Sequence, residues 1–216
     1  MPFLTRPGRH MPFSHHRLVP LLLIPCALLC HATVCVAQLS TTRGASFGVH
    51  LEGTSLTPKD GKTTSGGGLG LRAGYGFNRI VTGFVELDGS QINVDESGPI
   101  FGSWRLAHAE IGARFHFASS LRRWVPYLET SAGTRAVQVH DARVNGQNAG
   151  TVTFNGGAFT VGTGLSVYVK PTVALDVSLK LTGGRFTEVD LGDTALQNIK
   201  IEANSTRFGV GLIWWP

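Results

Sequence analysis

The closing stretch, Arg207-Phe208-Gly209-Val210-Gly211-Leu212-Ile213-Trp214-Trp215, decides the fold of this chain. Its apolar side chains at 208, 210, 212 and 214 alternate with an arginine and two glycines. Side chains of a β-strand point alternately to opposite faces, so one face of this stretch is apolar and ends in tryptophan, while the other is small or charged as far as Ile213. The alternation predicts a strand with an apolar outer face and a polar inner face.

Seven further segments upstream show the same period of two, and no segment of a dozen residues shows a clear helical period. The alternation is nearly perfect over 67–77, where even positions carry only glycine and Arg72. The 28 glycines, 12 phenylalanines and 15% charged residues also favour strands and turns. The predicted fold is an all-β, eight-stranded antiparallel up-and-down transmembrane β-barrel, with strands over approximately 45–54, 67–77, 80–90, 104–117, 124–139, 157–169, 172–183 and 207–215.

The first 37 residues have the pattern of a secretory signal peptide. Three arginines precede an apolar run over 18–30 that two prolines interrupt, and this run is shorter than the roughly 20 residues of a spanning helix. The pattern predicts cleavage after Ala37 and a barrel domain over 38–216, with a retained anchor as the alternative and Met11 as an alternative start. All three cysteines lie inside the leader, which leaves the mature chain no thiol for a disulfide, a metal or a nucleophile.

The charge of the mature chain excludes one class of partner. Without the three leader arginines, 16 basic residues face 14 acidic ones, a net charge of +2. No basic patch indicates a nucleic acid partner.

The lengths of the predicted connections alternate between long and short. The first, third, fifth and seventh connections are long and polar, and the third and fourth of these cover 140–155 and 185–202. Outer-membrane barrels have short periplasmic turns and longer external loops, so the alternation predicts four external loops and two periplasmic termini.

The closing segment 208–214, with its final aromatic residue, is similar to the C-terminal assembly signal of the small eight-stranded outer-membrane barrels, the OmpA-like, OmpX-like and opacity-type group. As a pattern, the resemblance covers residues 39–216. It implies the outer membrane of a Gram-negative-type bacterium as the location, membrane lipid as a partner, and the barrel-assembly machinery as a partner of the closing strand. An aromatic girdle is expected at the periplasmic interface, from Phe77, Phe117, Trp124, Tyr127, Tyr168, Trp214 and Trp215.

The predicted inner positions carry six acids and five bases. An eight-stranded barrel is only wide enough for side chains to fill, and buried charges must be paired to be tolerated. A static salt-bridged plug is therefore favoured over a gated polar conduit. The predicted network consists of Glu52, Arg72, Glu86, Asp88, Glu110, Arg114, Glu129, Arg135, Asp176, Lys180 and Arg207.

No motif predicts a catalytic, cofactor-binding or metal-binding residue. The Gly44-x-Ser46-x-Gly48 pattern has no preceding strand, as a nucleophile elbow would need. His108 and His116 are eight residues apart, too far along a strand to share one ion. His140-Asp141 is the one enzyme lead, because some similar barrels modify lipid A with a His and Ser pair, but no serine is obviously placed beside it.

The sequence therefore predicts a monomer with a structural or surface-interaction role of the adhesion type, acting through its external loops on an unknown extracellular ligand. A lipid A-modifying enzyme, a narrow pore and a secreted soluble barrel of the lipocalin type are the alternatives, although the last would require an apolar interior and a polar exterior, contrary to the alternation.

Overall fold

The computed structural model describes residues 42–59, 61–93, 100–117, 123–144, 147–190 and 195–216. The predicted signal peptide, its cleavage site and the predicted loop residues 95–99 lie outside this part of the chain. Within it there is no helix with the length and apolar character needed to span a membrane.

Eight strands form one closed antiparallel barrel in which β1 pairs with both β2 and β8, so the predicted all-β, eight-stranded up-and-down fold is confirmed. Every other pair joins strands that follow one another along the chain. The strands are β1 Gly44–Pro58, β2 Thr64–Gly76, β3 Val81–Asn93, β4 Ile100–His116, β5 Trp124–Val144, β6 Gln147–Lys170, β7 Val173–Asp190 and β8 Ala195–Trp214.

Alternating burial follows from the sequence alternation. In β3, buried residues at even positions alternate with exposed residues from 84 to 93. On β8, Phe208 and Leu212 are outward and about half exposed, while Arg207 and Ile213 are buried inside. The outer face of the barrel is thus apolar and the inner face polar over the middle of the strands, as expected for a barrel in lipid.

The outer halves of β5 to β8 correct the sequence prediction. Residues 140–155 and 185–202 were predicted as loops, yet most of them belong to two long hairpins, β5–β6 and β7–β8. At Asp141 the backbone has a φ of 53°, and the pairing of β5 with β6 shifts register between Val139 and Ala142. This bulge interrupts the alternation for one residue, after which the strand continues to Val144.

The strands consequently differ in length on the two sides of the barrel. β1, β2 and β3 have 13 to 15 residues, whereas β5 to β8 have 18 to 24. A tilted strand needs only about 9–11 residues to cross a bilayer. β5 to β8 therefore extend well beyond the bilayer at the end of the barrel opposite the short turns.

Candidate functional site: the barrel interior

All eleven residues of the predicted charged network lie on the inner face, and each is at most 7% exposed. The glycines on neighbouring strands leave room for them. Gly162 of β6, for example, lies between Glu129 and Lys180, and a Cβ atom there would come within 3.0 Å of Glu129 Cγ and 3.2 Å of Lys180 Cγ. Small residues on one strand thus accommodate long side chains from the next.

The half of the network nearest the short turns is built around two carboxylates. Glu129 accepts hydrogen bonds from Arg72 Nη1 at 2.8 Å and from Arg114 Nε at 2.9 Å. Asp176 accepts from Arg114 Nη1 at 3.1 Å and from the Tyr127 hydroxyl at 2.8 Å. Each charge in this half is therefore held by partners on other strands.

Lys180 lies at the centre of the network. Its ammonium group is 3.3 Å from Glu52 Oε1 and forms a close ion pair with Glu86, which also pairs with Arg72. The carboxylate oxygens of Glu52, Glu86 and Asp88 lie within 4.8 Å of one another. This proximity was not predicted from the sequence, and each of the three carboxylates has a cationic partner: Lys180 pairs with Glu52 and Glu86, and Arg207 pairs with Asp88.

Arg207 connects the outer half of the network. Its guanidinium group pairs closely with Asp88, donates to Glu110 Oε1 at 2.7 Å and donates to the Thr182 hydroxyl at 2.9 Å. The side chain has no exposed surface. Arg207 thus joins β3, β4 and β7 from its position on β8.

Arg135 is the one network residue that the structure does not bring to a carboxylate, as far as the described residues show. It donates from Nη2 to the Ala203 carbonyl at 2.8 Å, and its guanidinium carbon lies 4.4 Å from the centroid of the Phe186 ring. Nε and Nη1 have no hydrogen-bond partner there. Arg135 therefore lies at the outer end of the network, where it contacts the apolar residues Phe186 and Ala203.

The histidines of the interior are separate from one another. His108 Nδ1 lies 2.9 Å from Asp88 Oδ1, His50 Nε2 lies 3.5 Å from Asp176 Oδ2, and His116 Nε2 lies 3.1 Å from the Thr82 hydroxyl. His108 and His116, whose separation along one strand argued against a shared ion, thus have different partners.

Apolar clusters lie on each side of the charged network, and none was predicted. The cluster at the turn end contains Val125, Tyr168, Ala174, Ile213 and Trp215. Buried polar residues of the other strands, Ser46, Thr82 and His116, lie at the same end. The outer end holds two adjoining apolar clusters, Leu56, Ile92, Leu106, Val137, Phe186 and Ala203, and Val139, Ala142, Val152 and Val189; Trp104 and Phe154 pack against both. The interior is therefore charged in the middle, apolar at the outer end, and partly apolar and partly polar at the turn end.

The predicted girdle needs a correction for three residues. Phe77, Phe117, Trp124 and Trp214 are outward and at least 50% exposed, as a girdle requires. Tyr127, Tyr168 and Trp215 instead point inward and are at most 3% exposed. Tyr127 and Tyr168 share the inward parity of their strands, and Trp215 continues the inward parity of Ile213 while its amide donates to Thr172 O at 2.8 Å.

His140 lies opposite Ser103 in the pairing of β4 with β5, a neighbour that the sequence did not reveal. The hydrogen bond described for its Nδ1 is with the Thr151 hydroxyl at 3.5 Å. Among the described residues its Nε2 has no partner. The described contacts thus contain no hydrogen-bonded Ser–His dyad at this position.

The sequence model of a protein family, the outer membrane protein beta-barrel domain, matches residues 26–213 of this chain. Neisserial surface protein A (NspA) superposes with a TM-score of 0.56 at 20% identity, covering 80% of this chain and 99% of that chain. Ail, the attachment invasion locus protein of Yersinia pestis, gives a TM-score of 0.52 at 15% identity, covering 80% of this chain and 100% of that chain. OprG from Pseudomonas aeruginosa gives a TM-score of 0.50 at 12% identity, covering 82% of this chain and 98% of that chain. No curated protein matches the chain in sequence. At these identities, the likeness is one of fold.

Proposed function

The chain belongs to the outer membrane protein beta-barrel domain family, and from that premise we propose that it is a monomeric surface-interaction protein whose interior is closed. Membership of the family places it in the outer membrane of a Gram-negative-type bacterium. In this proposal the long ends of β5 to β8 face the exterior and bind an extracellular ligand, and both mature termini are periplasmic.

The observation that carries the proposal is the packed interior. A charged network in which ten of the eleven charged side chains form ion pairs lies between apolar clusters. A water column would have to cross the outer apolar clusters and separate several buried ion pairs, each of which is costly to break. This arrangement supports a structural or binding role over a pore.

The shape of the projecting strands supports an external binding surface. Two of the four predicted long loops are replaced by paired strands, so at these two hairpins a ligand would meet an ordered sheet. Binding by a pre-ordered surface avoids the entropic cost of ordering a loop. The closing strand, with Phe208, Val210, Leu212 and Trp214 outward, would be the contact for the barrel-assembly machinery.

Shortening the β5–β6 hairpin tests this role. Val139 and Val152 are register partners, so replacing 140–151 with Asn-Gly closes the hairpin with a two-residue turn that suits such a pair. Bacteria that display the shortened protein are expected to adhere to an epithelial monolayer no better than vector-only cells, while full-length cells adhere more strongly. Adherent colony counts measure the effect.

The matched control is the same design at the opposite end of the barrel. Lys170 and Val173 are also register partners, and replacing Pro171-Thr172 with Asn-Gly leaves the external end intact. Both variants must retain heat-modifiable gel mobility, which shows that the barrel is folded. Full adhesion by the hairpin variant would refute the proposed role of this surface.

A further inference from the structure

A groove of about 470 Å³ lies where the outer ends of β1, β7 and β8 meet. β1 ends at Pro58, opposite Ala203, while β8 continues to Ala195. Thr57, Lys59, Arg185, Glu202 and Asn204 are among its lining residues. The groove thus lies at the step between the short strands and the long ones.

Its charged residues form an ordered triplet. Lys59 Nζ lies 2.9 Å from Glu202 Oε2, and Arg185 Nε lies 3.1 Å from Glu202 Oε1. The side chains of Lys59 and Arg185 are 68% and 61% exposed, so both cations remain accessible to a ligand. One carboxylate therefore holds two cations side by side, and the triplet has a net charge of +1.

The height of the triplet places it at the outer membrane interface. Glu202 is twelve residues from Trp214 along β8, and Arg185 is twelve residues from Val173 along β7. At about 3.3 Å per residue and a tilt of about 45°, twelve residues rise by roughly 28 Å, just beyond an apolar band of about 25 Å. Outward Leu181 and Phe208 lie below it, about half exposed.

From these observations we infer that the groove is a binding site for the phosphorylated sugar headgroup of an outer-leaflet lipid. Lys59 and Arg185 would contact the phosphate, since ammonium and guanidinium groups form strong charge-assisted bonds with phosphate oxygens. Glu202 and Asn204 offer acceptors and a donor for sugar hydroxyl groups. A volume of this size is within the usual range for a small-ligand site.

The apolar surface below the groove selects a lipid over a free sugar phosphate. A headgroup held by Lys59 and Arg185 places its acyl chains along Leu181 and Phe208, where they cover apolar area that faces the membrane. A soluble anion would gain the polar contacts alone. The groove lies at the base of the β7–β8 projection, and the β5–β6 hairpin removed in the adhesion test contributes none of the lining residues described for it.

The test compares lipid retention by the purified full-length barrel in detergent, measured by native mass spectrometry. Diphosphoryl lipid A is the probe, and dephosphorylated lipid A and inorganic phosphate are its comparisons. The wild-type barrel is expected to bind diphosphoryl lipid A at least about tenfold more tightly than the dephosphorylated form, the change expected from losing one or two charge-assisted contacts. Inorganic phosphate at millimolar concentration is expected not to displace it.

The Lys59→Ala/Arg185→Ala variant is expected to lose this preference. Arg79→Ala/Lys170→Ala removes two exposed cations near the short turns and serves as the matched control, with wild-type binding expected. Heat-modifiable mobility establishes that each variant is folded. Equal retention of the two lipids by the wild type, or an unchanged preference in the Lys59/Arg185 variant, would overturn the assignment. Displacement by inorganic phosphate would make the groove a free-anion site and overturn the lipid assignment.

Discussion

Arg207→Met is expected to lower the free energy of unfolding by about 3–5 kcal/mol, the usual cost of removing one partner from a buried ion pair. Arg207 has no exposed surface and is the arginine that pairs with both Asp88 and Glu110. Methionine fills much of the same volume but leaves two buried carboxylates without this cation. Urea titration of the barrel in lipid vesicles, followed by tryptophan fluorescence, measures the loss.

The matched control is Arg185→Met. Arg185 also pairs with a glutamate, Glu202, but its side chain is 61% exposed, so water screens the pair and its loss is expected to destabilise the barrel much less than loss of Arg207. Replacing the two carboxylates that lose their partner with neutral amides, as in Arg207→Met/Asp88→Asn/Glu110→Gln, is expected to restore part of the lost free energy of unfolding. If Arg207→Met costs no more than Arg185→Met, the charged network does not stabilise the barrel as described.

Gly133→Ala is expected to destabilise the barrel by about 1–3 kcal/mol, the range found for overpacking a close-packed interior. Gly133 lies in the middle of β5, between Glu110 of β4 and Ala158 of β6. A Cβ atom there would overlap the Ala109 carbonyl oxygen and lie 2.8 Å from Glu110 Cα. Both are backbone atoms of a paired strand, so relief requires movement of the barrel wall. The same urea titration measures the effect.

Gly89→Ala is the control for this prediction. Gly89 also lies in a strand, on the outer face of β3, and a Cβ atom there meets nothing within 4 Å. The two substitutions add the same methyl group at strand glycines, so their difference isolates the steric overlap. Equal stability of the two variants would show that β4 and β5 are less closely packed than the structure indicates.

The sequence predicts the inner face well because strand parity is a strict geometric rule. Once Arg72 and Glu86 are assigned to β2 and β3, the period of two determines the inner or outer position of every residue on those strands. The structure accordingly places all eleven predicted charged residues inside. Which charges meet depends on the register between strands, which alternation within one strand does not specify.

The outer parts of β5 to β8 could not be predicted in the same way. Above the membrane both faces of a hairpin can be polar, as at Asn155 and Glu202, so the contrast between faces that marks a spanning strand weakens. The bulge at Asp141 also changes the parity within the segment. The segments therefore resemble loops in composition although their backbones are paired.

The three inward aromatic residues show a second limit of prediction from the sequence. Aromatic side chains near the turn end were assigned to the membrane interface because rings favour that environment. The alternation of the strands already placed Tyr127 and Tyr168 inside. There the Tyr127 hydroxyl donates a hydrogen bond to Asp176, and the guanidinium carbon of Arg114 lies 3.6 Å from the centroid of the Tyr127 ring. Parity is the stronger criterion, because it is fixed by backbone geometry, whereas the interface preference is only a tendency.

Single-barrel recordings in planar lipid bilayers test the closed interior most directly. The barrel is inserted, and its folded state is verified by heat-modifiable mobility of the same preparation. An interior filled by a paired charged network, with apolar clusters across its outer end, predicts a silent bilayer without discrete conductance steps. Reproducible steps of constant amplitude from the wild-type protein would contradict the closed interior and identify the barrel as a narrow pore.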